Sequence, residues 1–305
     1  MDLDRDYKHI PALVGEVLLS LRPQAEGVYV DATLGEGGHA EAILRAIAPS
    51  GRLIGIDRDA EVLEIARQRL AFFGSKVSIV HGHAAEIRSI LERLQIGQVD
   101  GILLDLGVSS YQLEAAERGF SFTREGPLDM RMDRTAAVTA ATLVNTLGER
   151  ELVNLIMRYG EERWARRIAR AILRARRRVP LQTTQELAGI ISQVVPLSPR
   201  PPRIHPATRT FQALRIAVNQ ELARLEEILK VAIACLLPTG RLCVIAYHSL
   251  EDRIVKRTFQ AYGNLSENAT PRMRLVTRKP VTCTLAERQV NPRARSAKLR
   301  VLERV

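Results

Sequence analysis

From residue 27 onward, short apolar runs alternate with amphipathic ones. Gly27 to Ala32, Arg52 to Asp57, Lys76 to His81 and Val99 to Asp105 are rich in aliphatic and β-branched residues and read as buried strands. Between them, Gly38 to Ala48, Ala60 to Phe72 and Ala84 to Leu94 read as helices; Leu63, Ala66 and Leu70 share one face of the second. Strands alternating with helices of this length form right-handed βαβ units on a parallel sheet. The pattern predicts a doubly wound α/β domain.

The alternation stops after residue 109. Residues 111–135 are polar and contain glycine, and 138–195 read as helical through Leu143, Leu147, Leu152 and Ile156, then Trp164, Ile168 and Ile172. Pro196, Pro199, Pro201, Pro202 and Pro206 form a rigid, helix-breaking cluster. One long amphipathic helix is predicted over about 207–236, with Phe211, Leu214, Val218, Leu222, Leu225, Leu229 and Ile233 on its stripe. Gly240 to Tyr247 returns to strand composition, Leu250 to Tyr262 is helical, and Met273 to Thr277 and Lys298 to Leu302 are short strands. The expected organisation is a sheet domain, 1–110 with 207–305, interrupted by a helical insert, 111–206.

Composition adds a partner class. Among 305 residues, Lys and Arg number 45 against 34 Asp and Glu, a formal charge of +11, and 39 of the basic residues are Arg. That surplus favours a polyanion, either nucleic acid or an anionic membrane surface. Arg suits phosphate through its planar, bidentate donors; genome composition or heat adaptation explains the Arg-over-Lys ratio equally well. The longest apolar runs, such as Val231 to Leu237, are far too short to span a bilayer. The charged N-terminus lacks the apolar stretch of a signal peptide. Cys235, Cys243 and Cys283 are scattered and odd in number, which fits a reduced, cytoplasmic setting better than a disulfide framework or a zinc site.

Three features fall at strand ends, where open α/β sheets bind ligands. The first is the loop Asp31-Ala-Thr-Leu-Gly35-Glu-Gly37-Gly38-His39, which admits a ligand close to the backbone. The second is Asp57, placed to receive ribose hydroxyls or else to cap the helix starting near Asp59. The third is Asp105-Leu-Gly107-Val-Ser109-Ser110, with room for a flat substrate and an acceptor for an amine. The loop reads Gly-x-Gly-Gly, not the Gly-x-Gly-x-x-Gly of dinucleotide folds. This favours S-adenosylmethionine, which carries no phosphate, over a nucleotide-cofactor oxidoreductase.

Longer motifs extend over nearly the whole chain. They include Tyr7-Lys-His-Ile-Pro-Ala-Leu13, Gly101 to Ser110, Glu117-Arg-Gly-Phe-Ser-Phe122 and Gly126-Pro-Leu-Asp-Met-Arg-Met-Asp133. Tyr159-Gly-Glu-Glu-Arg163, His205-Pro-Ala-Thr-Arg-Thr-Phe-Gln212, Tyr247 to Lys256 and Asn291 to Ser296 continue the set. In these the chain closely resembles the RsmH (MraW) family. The resemblance implies a Rossmann-like class I S-adenosylmethionine methyltransferase acting on N4 of a cytidine in the decoding centre of bacterial 16S ribosomal RNA. It also implies cofactor contacts at Gly37, Gly38, His39, Asp57, Asp105 and Gln112. A further family contact with the cofactor, often aromatic, falls on Ala84, which departs from a side-chain stack on adenine and leaves a backbone contact as the expectation. The stretch after Tyr262 is shorter than in several relatives.

Asp105, Ser109 and His248 are the candidates for catalysis. Asp105, with a neighbouring backbone carbonyl, could accept hydrogen bonds from the target amine, or serve the cofactor instead. His248 is matched to proton transfer near neutrality, or else orients backbone or phosphate. Asp129 and Asp133 either line the substrate mouth or cap turns. His81 and His83, without a nearby Cys or carboxylate cluster, read as structural, and no metal is expected. Arg163, Arg166, Arg167, Arg170, Arg174, Arg177 and Arg178 surround a buried stripe in a run without acids, and Arg293 and Arg295 form a smaller cluster. These arginines are the expected contacts to 16S rRNA or the small ribosomal subunit. A homodimer is left open, and a non-catalytic RNA-binding or assembly protein with the same fold is the competing expectation.

Overall fold

The computed structural model describes residues 10–196, 204–264 and 272–305. Tyr7 to His9, Pro199, Pro201, Pro202 and part of the short stretch after Tyr262 lie outside the described residues. Seven strands form one sheet: β1 Val28–Asp31, β2 Arg52–Asp57, β3 Val77–His81, β4 Val99–Asp105, β5 Leu236–Ala246, β6 Met273–Leu275 and β7 Lys298–Arg304. Their order is β3-β2-β1-β4-β5-β7-β6. β1 to β5 are parallel, and β7 runs antiparallel between β5 and β6. The strand order reverses between β1 and β4, so their carboxyl ends mark the ligand crevice expected of such sheets.

Side chains alternate across each strand and feed a separate core on either face. Val30, Ile54, Ile56, Ile102 and Leu104 pack on one face with Ile87, Ile90, Leu229, Val255 and Phe259. Tyr29, Leu53, Leu103, Cys243 and Ile245 pack on the other with Val17, Ile43, Leu44 and Leu63. With helices on both faces, the strands read as continuous apolar runs in the sequence.

The helices are α1 Val14–Leu21, α2 Gly38–Ala46, α3 Ala60–Leu70, α4 Ile87–Arg93, α5 Ser110–Glu114, α6 Ala140–Thr146 and α7 Glu149–Gly160. They continue with α8 Ala165–Arg176, α9 Thr184–Val194, α10 Thr208–Asn219, α11 Leu225–Ala234, α12 Ser249–Gly263 and α13 Leu285–Val290. Two compact units result. One comprises the described residues of Met1–Gly107 and Leu222–Val305, the other those of Val108–Glu221.

The divisions therefore fall at 107/108 and 221/222 rather than at 110/111 and 206/207. α10 belongs to the helical unit because Phe211, Leu214 and Val218 are buried with Leu152, Ile156, Ile168 and Ile172. The single helix expected over 207–236 is two. Gln220 takes a left-handed conformation (φ 50°) and ends α10, and α11 begins at Leu225. Both helices bury a face of the same period, so the sequence stripe runs on across the break.

Candidate active site

The loop after β1 is built around its ligand-facing backbone. Gly37 precedes α2 at φ +80°, a conformation that disfavours any side chain. A Cβ on Gly38 would lie 2.3 Å from Pro11 Cγ, so the motif around Pro11 closes on the helix start. α2 begins directly after this loop, at Gly38. His39 is buried, with Nε2 3.9 Å from Asp105 Oδ2, beyond hydrogen-bond reach.

Asp57 braces this loop. Oδ2 accepts from Gly35 N at 2.8 Å and Oδ1 from Asp59 N at 3.0 Å. The cap of α3 is instead Asp59, which accepts from Glu61 N and Val62 N. Each Asp57 oxygen keeps a lone pair for a hydroxyl donor. Burial raises the Asp57 carboxyl, and the N–H groups of Asp59 and Gly35 hold it down in part.

Asp105 closes β4. Tyr247 Oη donates to its Oδ1 at 2.8 Å, and its own N–H donates to Thr33 Oγ1 at 2.6 Å. Burial, then Glu251, push its carboxyl up to about 7 against the Tyr247 hydrogen bond. Asp31, at the end of β1 between the other two, is buried and pushed up to about 8 by desolvation and by the charges of Asp105 and Asp57. Three carboxyl groups thus end three adjacent strands. Asp31, Thr33 and Tyr247 carried no role in the sequence reading. An acid closing the first apolar run was the available signal for Asp31. Tyr247 becomes visible only once β5 is paired with β4, with Ile245 opposite Asp105.

Several expected residues have local duties. Ser109 Oγ accepts from Gln112 N at 3.1 Å, and Gln112 Oε1 accepts from Ser109 N at 3.0 Å. This reciprocal cap of α5 was readable as Ser-x-x-Gln. His248 caps α12 in the same way: Nδ1 accepts from Glu251 N at 3.4 Å, and Nε2 lies 3.2 Å from Glu251 Oε1. Glu251 Oε2 in turn accepts from Tyr247 N and His248 N. The geometry favours the orienting role for His248. His83 caps the turn Ala84–Glu86, with Nδ1 accepting from Ala85 N, and His81 Nε2 lies 3.0 Å from Arg58 O. Ala84 is half-buried against the sheet core. Asp133 holds the turn at Thr135. Asp129 pairs with Arg131 through both oxygens; burial raises its carboxyl, and the guanidinium outweighs this and holds it low.

In the helical unit, Ile168 and Ile172 bury one face of α8, and Trp164 and Leu173 flank it half-buried. Arg163, Arg166, Arg167, Arg170, Arg174, Arg177 and Arg178 are all exposed. Arg163 lies over the Trp164 ring at 5.0 Å. Arg170 has an acidic partner from α7, Glu149 Oε1 at 2.9 Å, which the acid-free run did not reveal. Arg176 turns back to donate to Val144 O. In the sheet unit, Arg295 is exposed, and Arg293 is half-buried with its charge near Tyr247.

Residues 6–305 match the model of the MraW methylase family. The chain belongs to the MraW methylase family. It is 52% identical to a ribosomal RNA small subunit methyltransferase H of Geobacter sp. (strain M21), covering 98% of this chain and 99% of that one. It is 51% identical to the protein of that name in Citrifermentans bemidjiense, with the same coverage. Among solved structures, an rRNA methylase from Streptococcus thermophilus is similar over 96% of this chain and 93% of that one, at 10% identity and a TM-score of 0.42.

This MraW-family chain is thus a methyltransferase with a Rossmann-like sheet, and S-adenosylmethionine is its cofactor. The residues fit that group. The sulfonium and ammonium are cationic, and three carboxyl groups end the strands around the crevice. A pyrophosphate would meet the same acids with like-charge repulsion. The Asp57 lone pairs suit ribose hydroxyls, and the glycine loop leaves the backbone bare. No helix among the described residues is long and apolar enough to cross a membrane.

Proposed function

We propose that this chain methylates N4 of a cytidine in the decoding centre of bacterial 16S ribosomal RNA, in the cytoplasm, as a step of small-subunit maturation. The observation that carries this reading is the end-to-end similarity to proteins named ribosomal RNA small subunit methyltransferase H. The exposed arginine face of α8, with Arg295, supports a phosphate-rich partner, which positions the substrate while the base is read in a pocket. The target base reaches such a pocket only when unpaired or flipped out.

When bound, S-adenosylmethionine supplies an electrophilic methyl group on sulfur. The protein contributes placement and charge. Asp57 orients the ribose while bracing the loop. Asp105 would hold the cofactor's ammonium, with Oδ2 the oxygen that does not already accept from Tyr247. The target amine would then be oriented by a backbone carbonyl of the segment after Asp105; as the N–C bond forms, the methyl–sulfur bond would break to leave a neutral thioether, and the surplus proton on nitrogen would pass to water. Alignment of the amine with the methyl carbon supplies much of the rate.

Purified protein is incubated with labelled S-adenosylmethionine and small subunits lacking the modification, and the RNA is digested to nucleosides. N4-methylcytidine is the expected labelled product. Label on another nucleoside, or no transfer to subunits or free RNA, contradicts the proposal.

A further inference from the structure

Tyr247 is fixed from three sides. Its backbone N–H donates to Glu251 Oε2 at 2.9 Å. Its ring lies against Gly107, where a Cβ would sit 3.4 Å from Cδ2 and where φ is +108°. Its hydroxyl donates to Asp105 Oδ1 at 2.8 Å. The phenol is pushed well above its ordinary range by burial and by the charge of Asp105, so the hydroxyl stays a donor.

We propose that Tyr247 is a positioning residue for the cofactor: its hydroxyl occupies one oxygen of Asp105, turns the other toward the cofactor's ammonium, and favours the ionised form of that carboxylate. The proposal rests on the assignment of Asp105 to the cofactor. Asp105 stands in a ring of titrating and charged groups: Asp31 from β1, Asp57 from β2, His39 from α2, Glu251 from α12, and Arg293 across Tyr247. Most of these disfavour a second negative charge. Burial and Glu251 disfavour ionisation of the Asp105 carboxyl, and the Tyr247 hydroxyl favours it. Removing it leaves the carboxylate buried and short of a donor, which favours the protonated form.

The test is calorimetric titration of S-adenosylhomocysteine, which retains the ammonium, across the pH range around neutrality. Three proteins are compared: the parent chain, Tyr247→Phe and Asp105→Asn. Phe keeps the ring against Gly107, so the packing contact survives. In the parent, affinity falls as pH drops through the Asp105 transition near 7. That limb is identified by its loss in Asp105→Asn; a limb that remains there belongs to another acid of the ring. In Tyr247→Phe the Asp105 limb moves up by roughly one pH unit, the equivalent of one charge-assisted hydrogen bond. Affinity well above the limb stays within about threefold of the parent, because ionised Asp105 is then restored. A limb that stays put in Tyr247→Phe, or an equal loss at every pH, overturns the proposal. So does an Asp105→Asn profile that keeps every limb of the parent. The readout involves no RNA, so it stands or falls separately from the cytidine reading.

Discussion

The strand ends of the sheet unit and the outer face of α8 solve opposite electrostatic problems. At the strand ends, Asp31, Asp57 and Asp105 are gathered where desolvation penalises their charge, and all three are raised. On α8, arginines sit in solvent, where charge costs little to keep. Buried acids of this kind discriminate: they await a small cation of fixed shape. Exposed guanidinium groups steer and grip a polyanion without demanding one geometry. The net charge of +11 therefore hides a division, with raised acids gathered at the strand ends and exposed arginines gathered on α8.

The largest effect is expected at the acidic region. Asp57→Ala removes two charge-assisted hydrogen bonds, one from Gly35 N in the loop and one from Asp59 N, as well as the ribose acceptor. S-adenosylmethionine affinity should fall roughly 100-fold or more by calorimetry. A drop of less than about fivefold would strip Asp57 of its central place.

Next comes the basic region. Replacing Arg174, Arg177 and Arg178 together with Ala should weaken RNA binding. The slope of log affinity against log salt should flatten by up to about 2, at about 0.7 for each phosphate that is no longer neutralised. An unchanged slope removes these arginines from the interface.

The pH response sharpens the comparison further. Asp31 and Asp105 have folded-state values raised above the unfolded ones, to about 8 and about 7. Their contribution to stability is full below the ordinary carboxylate range and is lost as pH rises through those values. The melting temperature of the free protein should fall from mildly acidic to mildly alkaline pH, and Asp31→Asn should flatten that decline. Cationic S-adenosylmethionine favours the ionised carboxylates, so the melting-temperature gain it gives should grow over the same window. A gain that shrinks with pH contradicts the charge argument.

The smallest effect is local. Gly37→Ala forces a Cβ into φ +80° and to 3.2 Å from Leu70 Cδ1. It should cost about 1–2 kcal/mol, a melting shift of a few degrees.

Much of the sheet was legible because parallel strands covered on both faces must be continuously apolar. The register of Val99–Asp105 matches its run, whereas β5 begins at Leu236, before its Pro-Thr-Gly segment, where exposed residues obscure the strand. α1 and α13 escaped notice because each offers barely two turns of pattern. The break at Gln220 carries neither Gly nor Pro. In the site, Asp57 and Asp105 were readable as acids ending strands. Their partners were not: Tyr247 meets Asp105 across 142 positions, through strand pairing alone. Ser109 and His248 looked chemical in isolation, yet the residues three positions on, Gln112 and Glu251, give them caps to hold.

The division of labour is tested most directly by one crossed binding experiment. Cofactor affinity is measured in the Arg174, Arg177 and Arg178 to Ala protein, and RNA affinity in Asp57→Ala, each against the parent. Both should remain within about twofold if each region holds its own ligand, as proposed. Loss of cofactor affinity in the first, or of RNA affinity in the second, would contradict the assignment of the two ligands to two regions.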